Sequence, residues 1–341
     1  MLVPFPAHST VYQELLDNFA KTIEATIAYP ESPVTKLASF AEQRPAAPSS
    51  FIEPKRVFGL AHSAFELHAV SSPSKVALRS SSGEILTYEE LDSKANRFAA
   101  SLIELGVQQG EMIPLYMEKS IYTIIAILGI LKAGTAFTPL DPLNPYERNA
   151  FIIKDVGASR IVSDRKNVEN GISFGTDLII IDEIDLTPND EHDLKLPELT
   201  EESPIYSIYT SGSTGLPKGV LIHHSAVTAS TEGMIEATGV TSDWNALWVL
   251  NYVFDASYYD VFTILSVGAT LCLAPQEELL SNLSMYINDL NIEQVMLTPT
   301  ITKLISGGPA EVPRLKVLNV CGEKIDINIL EWARSVDVYN G

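Results

Sequence analysis

Residues 209–220 read YTSGSTGLPKGV, and no other stretch of the chain limits its fold and chemistry as much. The residues that lead into it, PIYSIYTS at 204–211, alternate apolar and polar side chains and are rich in β-formers, which predicts a strand. Glycine lets the backbone bend back and approach a ligand closely, so that several N–H groups can point at one anion. The hydroxyl side chains add donors, and Lys218 adds a mobile positive charge. The sequence therefore predicts a strand followed by a loop that binds a polyphosphate.

This glycine-rich loop differs from two common nucleotide-binding patterns. A Walker loop needs Ser or Thr after its Lys, whereas here Gly219 follows Lys218. A dinucleotide-binding turn opens with G-x-G, and that opening is missing from the stretch. The alternative is a solvated Gly/Ser turn between two strands. It is disfavoured because nearly every position of the stretch fits one specific motif.

That motif resembles the phosphate loop of the adenylate-forming superfamily, which comprises nonribosomal peptide synthetase adenylation domains, acyl-CoA synthetases and luciferases. Further segments resemble motifs of the peptide-synthetase branch and occur in the right order. They are LTYEEL at 86–91, LKAGTAFTPLDP at 131–142, FDAS at 254–257 and NVCGEKI at 319–325. The second departs from the family at Phe137 and Thr138, where Tyr and Val are more usual. The sequence also resembles the fungal siderophore synthetases in its general character, although no single motif carries this resemblance.

The expected fold class is α/β. Helical and strand-like runs alternate along the chain, which predicts a parallel sheet. Helices are predicted at 89–105, 121–132 and 146–156, and strands at 112–117, 160–163 and 177–181. A second series has apolar runs at 246–250, 261–273, 292–297 and 316–320. The resemblance implies the large N-terminal core of the acyl-CoA synthetase and luciferase-like fold, with two stacked α/β subdomains and mostly parallel sheets.

The predicted domain organisation has two parts. Residues 9–28 have helical spacing of apolar side chains, and the proline- and serine-rich stretch that follows is typical of a linker. The resemblance implies that 1–56 is a condensation-domain tail with an interdomain linker; a native N-terminal extension is the alternative. Residues 57–341 would be the N-terminal core of the adenylation domain. The chain ends at VYNG, where the family continues into later motifs that carry a Mg²⁺-binding Glu and a catalytic Lys, so the isolated 341 residues are expected to turn over poorly.

Composition excludes several classes of protein. A formal charge of −20 disfavours nucleic acid and anionic membranes as partners. The longest apolar run, 121–131, is about half of the ~20 residues that a membrane span needs, so it predicts a buried helix. Cys272 and Cys321 are the only cysteines, and the N-terminus lacks a basic signal region. A cytoplasmic location is therefore expected.

The resemblance implies attack of a substrate carboxylate on the α-phosphorus of MgATP, which gives an aminoacyl adenylate and pyrophosphate. The aminoacyl group would then be loaded onto the phosphopantetheine of a carrier (thiolation) domain, beside a condensation domain of the same synthetase. Thr210 and Lys218 are the catalytic candidates. The phosphates would be bound by Thr210, Ser211, Gly212, Ser213, Thr214, Gly215 and Lys218, and the adenine would be bordered by Gly322, Glu323 and Lys324. No metal ligand is assigned within this chain.

The substrate is expected to be an amino acid, because the resemblance assigns Asp255 to the α-ammonium group. Aromatic and apolar neighbours would bury this carboxylate, and a buried carboxylate needs a partner. The alternative is an ordinary helix N-cap, and both roles are compatible. By the family's pattern the side-chain pocket would be lined by Ala256, Tyr259, Met296, Asn319, Cys321 and Gly341. This lining carries no formal charge, which predicts a large, neutral side chain with a polar atom partway along it, such as a hydroxylated and acylated ornithine.

Other functions and other residues remain as alternatives. An acyl-CoA or aryl-acid ligase is the competing enzyme, and a catalytically incomplete binding fragment is the competing class. His223 and His224 follow the phosphate loop at a predicted helix start, where such a pair more often caps the helix or faces solvent than binds a metal. His62, His68 and His192 are assigned to no constellation, and the tryptophans are assigned to packing.

Overall fold

Two mostly parallel sheets organise the part of the chain that the computed structural model describes, residues 59–187, 197–211, 216–325 and 327–340. Several predictions lie outside these residues: the helix at 9–28, the linker, His192, the loop residues Gly212, Ser213, Thr214 and Gly215, and Gly341. All described elements belong to the unit that runs from Arg56 to Gly341.

The strands are short, and most of them have parallel neighbours. They are β1 Val76–Ser80, β2 Ile85–Thr87, β3 Met112–Tyr116, β4 Ala136–Leu140, β5 Arg160–Ser163, β6 Asp177–Ile180, β7 Pro204–Ser211, β8 Pro217–His223, β9 Asn245–Leu247, β10 Thr270–Leu273, β11 Gln294–Leu297, β12 Val317–Val320 and β13 Asp337–Asn340. One sheet has the order β13-β12-β11-β9-β10-β1-β2 and the other β6-β5-β3-β4-β7-β8. Only the pairs β1–β2 and β7–β8 are antiparallel in these sheets as described. The predicted α/β class with mostly parallel sheets is confirmed.

Helices connect and cover these strands. They are α1 Ser63–Ser71, α2 Tyr88–Glu104, α3 Ile121–Lys132, α4 Tyr146–Asp155, α5 Val168–Ile172, α6 His224–Thr238, α7 Ala256–Ser266, α8 Gln276–Leu279, α9 Leu283–Asp289, α10 Pro299–Thr302 and α11 Ile327–Trp332. Single 3-10 turns occur at Arg165–Asn167, Ile181–Glu183 and Gly308–Glu311. In the described ranges, no helix is both long enough and apolar enough to cross a bilayer.

Helix α3 is a core element, as its continuous apolar run predicted. Its residues are buried except for one, so the helix has no solvent-facing stripe. At Gly129 a Cβ would lie 2.7 Å from Cδ1 of Phe98 and 2.9 Å from the carbonyl oxygen of Ala95, which shows how closely α3 approaches α2. Helix α2 begins at a capping box, in which the Thr87 side chain accepts from the Glu90 N–H at 3.2 Å and the Glu90 carboxylate accepts from the Thr87 N–H at 2.8 Å.

The sequence pattern treated the apolar run at 261–273 as one segment, whereas the structure divides it into a helix and a strand. The structure ends helix α7 at Ser266 and begins strand β10 at Thr270. Gly268, with φ of +76°, makes the turn between them, and an L side chain rarely adopts that conformation. Both segments are buried, and an apolar run alone does not distinguish a buried helix from a buried strand.

The two faces of the seven-stranded sheet pack against different cores. Ala246 on β9 and Leu271 on β10 belong to the larger core, together with Val261 of α7. Leu247 and Cys272, which follow them on the same strands, belong to a second core with residues of α9 and α11. Helix α7 therefore packs on the face of the sheet that carries Ala246 and Leu271, and the candidate site lies on this same face.

Candidate functional site

The β7–β8 hairpin carries the described ends of the phosphate loop. Thr210 and Ser211 are exposed at the end of β7, and the strand matches the predicted bounds 204–211. Lys218 on β8 lies directly opposite Thr210 in the antiparallel register, and its side chain is exposed. Directly opposed side chains lie on the same face of a sheet with Cβ atoms about 5 Å apart. The hairpin therefore presents a hydroxyl and an ammonium group together at the base of the loop.

Contacts of Tyr209 attach this hairpin to α4. The Tyr209 hydroxyl donates to Oδ2 of Asp155 at 2.6 Å, and Nη2 of Arg148 donates to the Tyr209 carbonyl oxygen at 3.2 Å. Burial, together with Asp155, holds the pKa of Tyr209 above its ordinary value, so its hydroxyl stays a donor. Opposite it lies Gly219, where a Cβ would stand 2.8 Å from Cζ of the tyrosine ring. The glycine after Lys218 thus leaves space for the ring.

Asp255 lies immediately before α7 and is exposed, so the expectation that its neighbours would bury it is wrong. Its Oδ1 accepts from the Ala256 N–H at 2.8 Å, which is the helix-cap role considered as the alternative. The other carboxyl oxygen has no hydrogen-bond partner in the described chain. Burial, Asp260 and then Asp255 raise the pKa of the Cys321 thiol to about 11, so Asp255 is close enough to the end of β12 to act on it.

Strands β11 and β12 each carry one residue of the predicted lining. Met296 and Asn319 are register partners, and both are buried. Met296 lies two residues after Gln294, which pairs with Ala246, and Ala246 faces the core that contains α7. Because side chains two apart share a face, Met296 and Asn319 lie on the α7 side of the sheet. The half-buried residues Ala256 and Tyr259 of α7, and Cys321 after β12, complete the described part of the predicted lining.

Two buried polar groups on this side lack partners. The amide oxygen and nitrogen of Asn319, only 2% exposed, have no hydrogen-bond partner in the described residues. The same holds for both carboxyl oxygens of Asp260 in α7, which is 1% exposed. Burial raises the pKa of Asp260 to about 8, while the positive charge of Lys119 acts in the opposite direction. Sequence reasoning missed Asp260 and Lys119, although Asp260 follows Tyr259 directly and an acid in an apolar helix was a usable signal.

The segment after β12 contains the three residues that were predicted to border the adenine, Gly322, Glu323 and Lys324. Gly322 has φ of +76°, which favours glycine. The Glu323 carboxylate accepts from the Thr300 N–H at 3.0 Å and from the Thr300 hydroxyl, and these bonds lower its pKa. Its side chain is therefore engaged at the start of α10, and Lys324 is exposed.

The histidines differ from expectation. His224 is the first residue of α6 but is buried, and it neither caps the helix nor faces solvent. Its ring packs edge-on against His62 with centroids 5.5 Å apart, and its Nδ1 accepts from the Ala61 N–H at 3.1 Å. Burial lowers the pKa of both histidines to about 3. His62 therefore takes part in a buried contact with His224 that the sequence did not indicate.

The other described histidines make local polar contacts, and the two buried tryptophans are packing residues. Nδ1 of His223 lies 3.4 Å from Oε2 of Glu202, and Nε2 of His68 lies 3.0 Å from the Ser266 carbonyl oxygen. Trp248 and Trp332 are buried packing residues as expected. No group of three His, Cys, Asp or Glu side chains that could hold a metal ion occurs in the described ranges.

Comparison with known proteins gives three findings. The family model of the AMP-binding enzymes matches residues 65–340. In Aspergillus fumigatus, Nonribosomal peptide synthetase 7 is 42% identical over 283 residues and Nonribosomal peptide synthetase sidE is 41% identical over 286 residues. These matches cover 82% and 81% of this chain but 12% and 13% of those proteins, so the chain spans about an eighth of their length. A crystal structure of a nonribosomal peptide synthetase with alpha-methyl-L-serine-AMP bound has a TM-score of 0.73 and 26% identity, covering 82% of this chain and 32% of that chain.

Proposed function

This chain belongs to the AMP-binding enzyme family, and from that premise we propose that it activates an amino acid with MgATP for nonribosomal peptide synthesis. The products are an aminoacyl adenylate and pyrophosphate. The observation that carries the proposal is that Asp255 lies immediately before α7, which packs on the same side of the seven-stranded sheet as Met296 and Asn319. The β7–β8 hairpin supplies the groups for the phosphates.

The reaction needs charge neutralisation more than covalent chemistry from the protein. The substrate carboxylate attacks the α-phosphorus, the bond from that phosphorus to the bridging oxygen breaks, and pyrophosphate leaves with the electron pair. Thr210 donates a hydrogen bond and Lys218 a positive charge to the phosphates, and both project from the same face of the hairpin. When bound, Mg²⁺ neutralises further negative charge on the phosphate oxygens.

An amino acid is the class of substrate that fits the charged groups of the site, because its ammonium group can bind a carboxylate. Asp255 has one carboxyl oxygen without a partner in the described residues, and an ammonium group would bind it. Asp255, Asp260 and Glu323 all act on Cys321, which makes this region electronegative. A cationic group is favoured there, and a substrate with a second carboxylate is repelled. Fatty and aryl acids have no cation for this position.

The side-chain pocket favours a neutral group. Its described lining carries no formal charge: Ala256, Tyr259, Met296, Asn319 and Cys321. Asn319 can donate and accept, and both of its amide atoms are unpaired in the described structure. We therefore propose a large, neutral side chain with a polar atom partway along it, for which a hydroxylated and acylated ornithine is suitable.

The proposed partners follow from the reaction. The adenylate is an activated acyl donor, and a carrier domain with phosphopantetheine accepts the aminoacyl group. We propose a condensation domain of the same synthetase as the neighbour on the N-terminal side, with residues 1–56 as its tail and linker and 57–341 as the adenylation core. We also propose that the reaction takes place in the cytoplasm.

ATP–pyrophosphate exchange in the full protein that contains this chain tests the proposal. The panel comprises proteinogenic amino acids, N-hydroxylated and acylated ornithines, fatty acids and aryl acids. Exchange should depend on an amino acid and be strongest for a large neutral side chain. Exchange with fatty or aryl acids alone would identify an acyl or aryl-acid ligase instead. Clear preference for glycine, alanine, aspartate or unmodified lysine would contradict the assignment of the pocket.

A further inference from the structure

A buried lysine binds the chain just before the substrate aspartate. Lys119 lies between β3 and α3 and is 8% exposed. Its Nζ donates to three consecutive carbonyl oxygens, those of Trp248 at 2.6 Å, Val249 at 2.9 Å and Leu250 at 3.2 Å. The ammonium group has three protons, so these three acceptors use all of them. Nζ also lies 4.9 Å from the centroid of the Trp248 ring.

These carbonyls begin the segment that connects β9 to α7. The same segment has two more attachments to the six-stranded sheet. The Tyr252 hydroxyl lies 2.7 Å from the Met117 carbonyl oxygen, and Asn251 Nδ2 donates to Oδ2 of Asp141 at 2.8 Å. Met117 and Asp141 directly follow β3 and β4. The segment that ends at Asp255 is therefore attached to the carboxyl ends of two strands of the other sheet, and Lys119 supplies the charged attachment.

Asp260 of α7 is a second buried titratable group, and its pKa and that of Lys119 influence each other. It has no hydrogen-bond partner in the described residues, and Lys119 is the group that favours its ionised form. Burial lowers the pKa of Lys119 to about 7, whereas Asp260 raises it. The three carbonyl acceptors stabilise the protonated amine further. Without the ammonium group, three consecutive carbonyl oxygens would lose a hydrogen-bond donor, which is costly inside a protein.

We propose that Lys119 is a positioning residue for Asp255, which it places by binding the three carbonyls before α7. The inference rests on the proposed function, since it assumes that Asp255 binds the substrate ammonium group. Lys119 touches neither substrate in this arrangement. Its effect should therefore appear in amino-acid binding and not in ATP binding.

The test is a double-mutant cycle between Lys119→Met and Asp255→Asn in the full protein, read by pyrophosphate exchange. A displacement of about 1 Å at a binding group can cost up to about a hundredfold, so Lys119→Met should raise the amino-acid KM by about ten- to a hundredfold. The KM for ATP should change less than about twofold. In the Asp255→Asn background, Lys119→Met should add little, because coupled residues are not additive.

Lys132→Met is the matched control. Lys132, at the far end of α3, is also buried, and its Nζ pairs with Asp92 at 2.9 Å and with Glu66. It should lower stability without a selective effect on the amino-acid KM. Lys119→Arg, which keeps the charge and several donors, should restore part of the amino-acid affinity.

The outcomes separate the inference from the proposed function. If Asp255→Asn alone leaves amino-acid KM unchanged, the proposed function is wrong at its central residue. If Asp255→Asn raises that KM but Lys119→Met has no effect, changes the ATP KM equally, or adds fully to Asp255→Asn, only the positioning role is overturned. Should Lys119→Met not fold, the same cycle is run with Lys119→Gln, which removes the charge and keeps two N–H donors. Non-additivity with Asp255→Asn is again expected, and full additivity overturns the inference.

Discussion

Gly219 lies opposite Tyr209 in the β7–β8 hairpin, and a Cβ on the glycine would stand 2.8 Å from Cζ of the tyrosine ring. The ring cannot move aside freely, because its hydroxyl donates to Asp155 at 2.6 Å. The glycine of the motif therefore has a packing role, because a larger residue at this position would meet the Tyr209 ring. Its neighbour Lys218 pairs with Thr210 in the same antiparallel register.

We expect Gly219→Ala to lower the free energy of unfolding by about 1–3 kcal/mol, which is typical of overpacking, and to weaken ATP binding. Gly233→Ala is the control, because a Cβ added at Gly233 in α6 would meet no heavy atom within 4 Å and the helix should gain propensity. Chemical denaturation and ATP titration measure both effects. Equal stability and equal ATP affinity in Gly219→Ala and the unchanged protein would show that the ring contact is unimportant.

Asp255→Asn should weaken amino-acid binding and leave ATP binding intact. Removing one partner of a charge pair that becomes desolvated on binding costs about 2 kcal/mol or more, which is roughly a 30-fold rise in KM. Asparagine is also a good N-cap, so α7 should keep its stability. Pyrophosphate exchange measures the change, with the exposed Asp289→Asn as control. Unchanged amino-acid KM would remove Asp255 from the substrate site.

Asn319→Leu should change substrate selectivity without loss of stability. Both amide atoms of Asn319 are buried and unpaired in the described structure, so replacing them with an apolar group should maintain or raise the free energy of unfolding, by up to about 1–3 kcal/mol. The preferred substrate should become more apolar in competition assays. Gln294→Leu removes a buried unpaired oxygen on the same sheet face, nearer the start of β11, and should leave selectivity unchanged. Unaltered selectivity in Asn319→Leu would exclude this residue from the lining.

The buried pair His62 and His224 should make the protein less stable in acid. Burial lowers the pKa of both to about 3, from an ordinary value of 6.5, so between these values the unfolded chain binds more protons. Their contribution is therefore complete above pH 6.5 and is lost as pH falls toward 3, by up to about 1.4 kcal/mol per pH unit for each histidine.

Denaturation at pH 7.5 and pH 5 measures this slope. His62→Phe keeps an aromatic ring against His224 and removes one titrating group, so its unfolding free energy should fall less between the two pH values. A slope in His62→Phe that equals that of the unchanged protein would contradict the assignment.

Much of the fold was readable from the sequence, because its signals are local. The strand at 204–211 and the helix at 121–132 have the predicted bounds, since β-formers, buried apolar runs and caps act within a few residues. The boundary between helix and strand within the apolar run at 261–273 could not be predicted, because burial on all sides removes the periodicity that distinguishes a helix from a strand. For Asp255, apolar neighbours in sequence suggested burial, yet the carboxylate is exposed because it lies before the first turn of α7.

The sequence by itself determined the α/β class and the strand that leads into the glycine-rich loop, and the family resemblance proposed the residues for the substrate. Only the tertiary structure decided which distant groups meet. Lys119 and the Trp248 carbonyl are 129 residues apart, and Ala61 and His224 are 163 apart. Periodicity and capping extend over a few turns at most, so they cannot indicate pairs at such separations. Burial then sets the chemistry of these pairs, because charge is costly away from water and each ionisable group depends on the partners that the fold brings to it.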